Sequence, residues 1–159
     1  MDTNKNRLTS TEITNLFSQY IQEAMAICVS KYVLETVGDS DVLSLFEFSL
    51  QLTKKHVEKL NEFFDIENFP VPDGFTDKDV KLETPPLFLD IFWLHYLYTT
   101  SNIRLSNYSL TLATSIRQDI RDFYFQCNID AMEIVKNVLK FFYQKVLMKS
   151  VLIFPILKS

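Results

Sequence analysis

The sequence predicts an all-α fold, a four-helix bundle with a long crossover between its second and third helices. Three observations predict it. Apolar residues recur at intervals of three and four over most of the chain, which is the period of an α-helix. Only two glycines occur in 159 residues. One of them, with four of the five prolines, lies in the segment 65–86, which therefore predicts a connector between two helical halves.

Composition bounds the class of protein. Hydrophobic residues make up 47% and charged residues 23% of the chain, which is typical of one globular domain. The net charge is -4 and no basic block is present, so we expect neither nucleic-acid binding nor adsorption to a membrane. The N-terminus has no apolar signal segment, and the run 151–157 is too short to span a bilayer. We expect a cytoplasmic protein.

The two cysteines, Cys28 and Cys127, lie far apart and outside any metal-binding spacing. Such a pair predicts two buried thiols in a reducing compartment. There is no Gly-x-Ser-x-Gly motif and no glycine-rich phosphate loop, so the sequence offers no nucleophilic or phosphate-binding site.

Helix 1 begins with the signature of a capping box, because Thr9 is followed three residues later by Glu12. Leu8 and Ile13 stand where a hydrophobic staple would close. Gly38 predicts the left-handed end of this helix.

Helix 2 follows at once, because Asp39 can accept hydrogen bonds from the first free amides of a new helix. A link this short predicts that the two helices form an antiparallel hairpin.

The connector 65–86 is long enough to run the length of either helix. The segment 76–79 can add one helical turn on the way. Thr84 before Pro85 predicts the N-cap and first position of helix 3. We expect the connector to lie lengthwise along the bundle and to return the chain to the place where helix 2 begins.

From residue 87 to 149 there is neither glycine nor proline. The polar patch 99–102 is either a break or a weak helical stretch. Asn128 predicts the N-cap of the last helix. The segment 86–126 is therefore either one kinked helix or two helices.

The predicted organisation is an N-terminal tail (1–8), a single bundle domain (9–149) and an apolar C-terminal tail (150–159). Two helices, a long crossover and two more helices form the connectivity of ferritin-like bundles.

A ferritin-like bundle can be tested for a di-iron site, which needs Glu on two helices and Glu-x-x-His on each of the other two. Glu23 and His56 lie on apolar helical tracks, and Asp119 and Asp122 are the remaining inward candidates, on the helix that precedes the last one. The required pattern fails elsewhere, because Thr53 precedes His56 by three residues and Glu133 is followed by Lys136. We therefore predict no metal, no catalytic residue and no cofactor, and expect these groups to be buried hydrogen-bond and ion-pair partners.

The other histidine, His95, is surrounded by aromatic residues, which is typical of a core imidazole. A metal site built from His56 and His95 with Glu23 or Asp119 is the alternative, and it needs all of them at one level of the bundle.

The segment R-x-D-x-R-D at 117–122 places like charges one turn apart. It predicts either a solvated face or ion pairs with another helix or subunit.

Five segments together carry a resemblance: L-T-S-T-E-I-T-N-L-F at 8–17, M-A-I-C-V-S-K-Y at 25–32, K-H-V-E-K-L at 55–60, F-P-V-P-D-G-F-T-D-K-D-V at 69–80 and S-I-R-Q-D-I-R-D-F at 115–123. Over about residues 8–147 the chain resembles the domain-of-unknown-function family 3231 of spore-forming bacilli. The resemblance implies a ferritin-like bundle with no assigned activity, with some relatives labelled as spore coat proteins. Many members carry two copies of the unit, so a single-copy chain is expected to pair with itself.

The favoured function is thus a non-enzymatic structural or interaction module that forms a homodimer and associates with the spore coat. The first alternative is a divergent metal-dependent oxidoreductase that uses Glu23, His56, His95 or Asp119. The second is a carrier of an apolar ligand in the aromatic core.

Overall fold

The structure is a computed structural model that describes residues 6–144. In this range the chain forms four long helices and no strands, so the predicted all-α fold with a long crossover is confirmed. The helices are α1 (Ser10–Thr36), α2 (Ser40–Glu67), α3 (Asp90–Thr114) and α4 (Gln118–Phe142). Most of the predicted tail 1–8, the end of the predicted domain at 149 and the apolar tail 150–159 lie outside the described residues.

The predicted start of α1 is confirmed. The Thr9 hydroxyl accepts the amide N–H of Glu12 at 3.1 Å, and the Glu12 carboxylate accepts the amide N–H of Thr9 at 2.8 Å. Two amides that a helix N-terminus leaves free are satisfied in this way.

The link between α1 and α2 contains one wrong prediction. Gly38 does not adopt a positive φ, and α1 ends instead at an extended Val37. The chain stays extended because α2 begins immediately: Asp39 accepts the amide of Asp41, as predicted, and its own amide donates to the Asp90 carboxylate at 2.8 Å. The left-handed residue lies at the other end of the hairpin, where Asn68 ends α2 with φ 60.

The connector runs lengthwise along α1, as expected. Its contacts follow α1 in order: Phe69 with Phe17, Gly74 with Tyr20 and Ala24, Thr76 with Cys28, and Pro85 with Tyr32. The single helical turn is also confirmed, at Asp77–Asp79. Because α3 then begins beside the start of α2, α2 and α3 run in one direction and α1 and α4 in the other.

The predicted start of α3 at Thr84–Pro85 is wrong, because the helix begins at Asp90. The Tyr32 hydroxyl donates to the Pro85 carbonyl at 3.0 Å and accepts the amide of Leu87 at 3.3 Å. These bonds hold the two prolines as part of the extended connector. The residue before the helix, Leu89, offers no side-chain cap.

The predicted N-cap at Asn128 is also wrong, since Asn128 lies inside α4. The patch 99–102 is helical throughout, and its polar side chains bond back to carbonyls one turn earlier, as Thr100 does to Tyr96 at 2.8 Å. The actual break is at 115–117. There the Glu12 carboxylate of α1 accepts the amides of Ile116 and Arg117 at 2.8 and 2.9 Å. The break is therefore stabilised by a residue more than a hundred positions away in sequence.

The apolar core has two parts, one at each end of the bundle. One surrounds Leu16, Phe64 and Tyr124, and the other surrounds Phe46, Trp93 and Val138. Several buried residues that belong to neither part are polar, among them Glu23, Thr53 and His56.

Candidate functional site

A layer of polar side chains crosses the middle of the bundle, and every helix contributes to it. We call it the central polar layer; its members are Gln19 and Glu23 from α1, His56 from α2, Arg104 and Tyr108 from α3, and Cys127 and Asp130 from α4. On α1, α3 and α4 the two members are three or four residues apart, so each pair lies on one inward face.

His56 is the centre of this layer. Its Nε2 lies 2.7 Å from a carboxylate oxygen of Asp130, and its Nδ1 lies 3.5 Å from Oε1 of Glu23. The rings of Tyr108 and Phe123 meet the imidazole edge to face, each with its centroid 6.2 Å away. The ring is thus held between two acids and two aromatic walls.

Glu23 is 1% exposed, yet it faces several donors. The Tyr108 hydroxyl donates to its Oε1 at 2.7 Å, and the Gln19 amide approaches the same oxygen at 3.5 Å. Its Oε2 has only the Arg104 guanidinium, whose Nη1 is 3.9 Å away.

The charges of these groups follow from their surroundings. Burial raises the pKa of Glu23, but Arg104, His56 and Tyr108 outweigh it and lower the pKa to about 2. Burial lowers the pKa of His56, but contacts with Cys127 and Glu23 outweigh it and raise the pKa to about 11. Burial raises the pKa of Cys127, while its contact with His56 acts to lower it. The carboxylates beside the imidazole are those of Glu23 and Asp130.

The layer is therefore neutral in sum at pH 7. Two carboxylates, Glu23 and Asp130, face two cations, His56 and Arg104. A divalent metal would add two positive charges to a layer whose two acids already face two cations. In residues 6–144 no group of three or more His, Cys, Asp or Glu has the arrangement of a metal site.

Some buried polar atoms of the layer have no hydrogen-bond partner within the described range. They are Oε1 of Gln19, Oε2 of Glu23 and Nδ1 of His56, and nearby buried hydroxyls of Ser101 and Tyr124 share this condition. Orphaned polar groups of this kind destabilise a fold unless a water or ligand reaches them.

The sequence candidates separate into two groups. Glu23 and His56 meet, as expected of buried partners. His95 does not join them, because it lies near the start of α3 and its ring packs on that of Phe142, with the two ring centroids 4.6 Å apart. Asp119 lines the same α2–α4 groove as His56, of about 580 Å³, but its carboxylate binds Arg117.

Arg104 and Asp130 are the members that sequence reasoning missed. Each follows the helical spacing of a recognised inward residue, Arg104 four positions before Tyr108 and Asp130 seven after Phe123. This spacing could have identified both residues as inward, but charged residues at such positions are usually assigned to the protein surface. Both predicted buried thiols, Cys28 and Cys127, are buried and free.

A second buried cluster lies at the end where α1 and α4 begin. We call it the closing cluster; it consists of Glu12, Glu67, Arg117 and Asp119. Arg117 is 3% exposed, so the solvated face is excluded for it. Its predicted partner on another helix is Glu67 of α2. Its Nε also donates to the Asp119 carboxylate at 2.7 Å. This contact between residues two apart is possible because Arg117 precedes α4 and does not have helical geometry.

No helix in the described part of the chain is both long and apolar enough to cross a membrane.

Comparison with known proteins agrees with this fold. A spore coat protein of Bacillus halodurans, described as putative, superposes with a TM-score of 0.82 at 18% identity, over 90% of this chain and 92% of that one. A conserved hypothetical protein from Mycobacterium tuberculosis superposes with a TM-score of 0.67 at 10% identity, over 83% of this chain and 97% of that one. At these identities the likeness shows the fold alone. No curated protein matches the chain.

The family comparison covers nearly the whole sequence. The profile of the proteins of unknown function DUF3231 matches residues 1–150, which include all four helices and the central polar layer. The expected family is thereby confirmed, and the chain belongs to the DUF3231 family.

Proposed function

We propose that the protein is a non-enzymatic structural or interaction module that self-associates as a homodimer and works inside the cell in association with the spore coat. The observation that carries the proposal is the neutral charge balance of the central polar layer. A site in which each acid already faces a cation is suited to fixing the register of four helices, and less suited to holding a metal.

The alternative of a ferritin-like oxidoreductase is disfavoured by the same observation. The connectivity, with one long crossover, is that of ferritin-like bundles, and the layer lies where such enzymes place their metals. Here, however, α3 contributes Arg104 and Tyr108, neither of which is a carboxylate. The guanidinium supplies the positive charge that a metal would supply.

The proposed contact surface lies where the connector enters α3. We call it the α3-entry surface; its exposed apolar side chains are Leu87 (69%), Phe88 (46%), Leu89 (78%), Ile91 (40%) and Phe92 (40%). Adjacent exposed apolar residues of this number are typical of contact sites between proteins. The spore coat description of the Bacillus halodurans protein supports a coat assembly as the setting.

The test joins elemental analysis with light scattering on protein purified without chelator. We expect no stoichiometric iron or manganese and the mass of a dimer. Leu89→Glu places a charge on the α3-entry surface and should yield a monomer. The matched control is Leu110→Glu. Leu110 is also exposed (66%) but lies near the other end of α3, so this change should leave the dimer intact.

Two results would contradict the proposal. Stoichiometric metal together with oxidase turnover would favour the oxidoreductase. A monomeric wild-type protein would remove the self-association.

A second candidate function, a carrier of an apolar ligand, is favoured by a separate observation. A groove of about 230 Å³ lies between α1 and α3, and most of its lining is apolar. It is open to solvent beside the central polar layer.

A further inference from the structure

The groove between α1 and α3 has an apolar stretch and a charged end. Its apolar residues come from three helices, and they include Met25, Val29, Phe46, Leu97 and Ile103. At one end the lining includes Arg104 of the central polar layer. The groove therefore has the two parts that a ligand with a charged head and an apolar body needs.

The apolar stretch is left uncovered by the described chain. Met25 on α1 is 49% exposed and Ile103 on α3 is 54% exposed, and both line the groove. Burying such side chains beneath a ligand is favourable because it removes apolar surface from water.

Arg104 has donors to spare. Its side chain is only 19% exposed, and its nearest anion, Oε2 of Glu23, is 3.9 Å away, too far for a hydrogen bond. Among residues 6–144 no acceptor takes a hydrogen bond from its guanidinium. By contrast, Arg117 of the closing cluster has three acceptors: Asn6, Glu67 and Asp119.

Arg104 contributes one charge contact to the central polar layer, with Oε2 of Glu23, and the other contacts of the layer do not involve it. Glu23 receives Tyr108 and Gln19 on its Oε1 and lies beside the His56 imidazolium, which Asp130 also holds. The guanidinium is thus the cation of the layer with the least complete set of partners, and it borders an apolar groove.

We propose that this groove binds an apolar monocarboxylate, with the carboxylate on Arg104 and the hydrocarbon chain along Met25, Val29 and Ile103. A guanidinium binds a carboxylate through two parallel hydrogen bonds, a geometry that a lysine or a hydroxyl cannot reproduce. The groove has a volume of about 230 Å³. If each carbon of a chain occupies about 30 Å³, roughly the volume of a water molecule, the groove holds about eight carbons. The inference rests on the carrier function and names its ligand class.

The experiment is a calorimetric titration of the purified full chain with octanoate, with 1-octanol as the uncharged ligand of the same length. We expect octanoate to bind and octanol to bind about tenfold or more weakly, because only the acid satisfies the guanidinium. Arg104→Gln should reduce the affinity for octanoate to that for octanol.

A second variant tests the same groove if Arg104→Gln fails to fold. Ala26 lines the groove without touching a charged group of the layer, so Ala26→Phe fills the groove and should abolish octanoate binding. Ala113→Phe, at an exposed position near the end of α3, makes the same change elsewhere and should leave binding unchanged.

Each other outcome overturns the inference in a distinct way. Equal binding of octanoate and octanol would support the carrier function but would show that Arg104 does not bind the carboxylate. Octanoate binding that survives Ala26→Phe would place the ligand elsewhere. If neither compound binds, the carrier function fails together with the assignment, while the proposal of a structural module stands.

Discussion

The closing cluster and the central polar layer are both buried and both charged, but they differ in how fully their groups are paired. In the closing cluster, Glu12 accepts three backbone amides, from Thr9, Ile116 and Arg117. Its carboxylate therefore keeps a lowered pKa although burial acts to raise it. In the central polar layer, Glu23 leaves one carboxylate oxygen without a hydrogen bond.

The difference separates two uses of buried charge. A cluster in which every group is bonded connects elements of the fold, here the starts of α1 and α4 and the end of α2. A layer with unfilled donors and acceptors has capacity for a further molecule, and it borders two grooves, one between α1 and α3 and one between α2 and α4. Substitutions in the two places should therefore behave differently.

The largest effect is expected in the closing cluster. Glu12→Ala leaves the amides of Thr9, Ile116 and Arg117 without an acceptor, while the Arg117 guanidinium keeps Glu67 and Asp119. We expect the free energy of unfolding to fall by about 3 to 5 kcal/mol, because several hydrogen bonds from backbone amides to a charged acceptor are lost together. Urea unfolding measures it.

The control for Glu12→Ala is Glu35→Ala, an exposed glutamate on the same helix. It should change the free energy of unfolding by no more than about 0.5 kcal/mol. A loss below about 1 kcal/mol for Glu12→Ala would mean that the long-range cap does not stabilise the α3–α4 break.

The next effect is a pH dependence that belongs to the central polar layer. The pKa of His56 is raised in the folded state to about 11 from 6.5, so its stabilising contribution is complete below pH 6.5 and is lost as the pH rises toward 11. Between the two values the folded state binds one more proton, and the free energy of unfolding should fall by about 1.4 kcal/mol per pH unit. Urea unfolding at pH 7 and pH 9 should therefore show a lower free energy of unfolding at pH 9.

His56→Gln should be less stable at pH 6 and should lack this alkaline slope. The other groups that face His56 do not produce the slope in this range. Glu23 changes the free energy of unfolding only at acid pH, because its pKa is lowered: its stabilising contribution is present above pH 4.5 and is lost as the pH falls toward 2. The pKa of Cys127 is raised, so its thiol keeps its proton in this range. A wild-type slope that persists in His56→Gln would assign the pH dependence to another residue.

The smallest effect compares two buried tyrosines near the layer. The Tyr108 hydroxyl donates to Glu23 at 2.7 Å, whereas the Tyr124 hydroxyl has no partner in the described range. Tyr108→Phe should reduce the free energy of unfolding by about 2 kcal/mol, the contribution of a hydrogen bond to a charged group.

Tyr124→Phe should leave stability unchanged or raise it by about 1 kcal/mol, because it removes an unsatisfied hydroxyl. Thermal and urea unfolding of the two variants give the comparison directly. Equal losses would mean that the Tyr124 hydroxyl binds a water or ligand in solution, and the contrast between paired and unpaired groups would then disappear.

The elements predicted correctly depend on residues close together in the chain. The capping box needs only Thr9 and Glu12, and the start of α2 needs only Asp39. The crossover followed from the concentration of prolines in 65–86. For the site, helical spacing was enough to predict that Glu23 and His56 point inward.

The elements predicted wrongly depend on partners far away in the chain. Nothing beside Ile116 marks a helix break, and the carboxylate that accepts its amide comes from Glu12. Thr84 and Pro85 have the local pattern of a helix start, but the Tyr32 hydroxyl holds the segment extended. The charge of the central polar layer was missed for the same reason, since Arg104 and Asp130 take on their roles only when α3 and α4 pack against α1 and α2.

The sequence by itself determined the helices, their order and the lengthwise crossover, because periodicity and capping act within a few residues. The tertiary structure alone decided where α3 and α4 separate, which charges face one another and that Arg104 keeps unfilled donors beside an apolar groove. The physical reason is that a buried charge is tolerated only with a partner, and its partner comes from another helix.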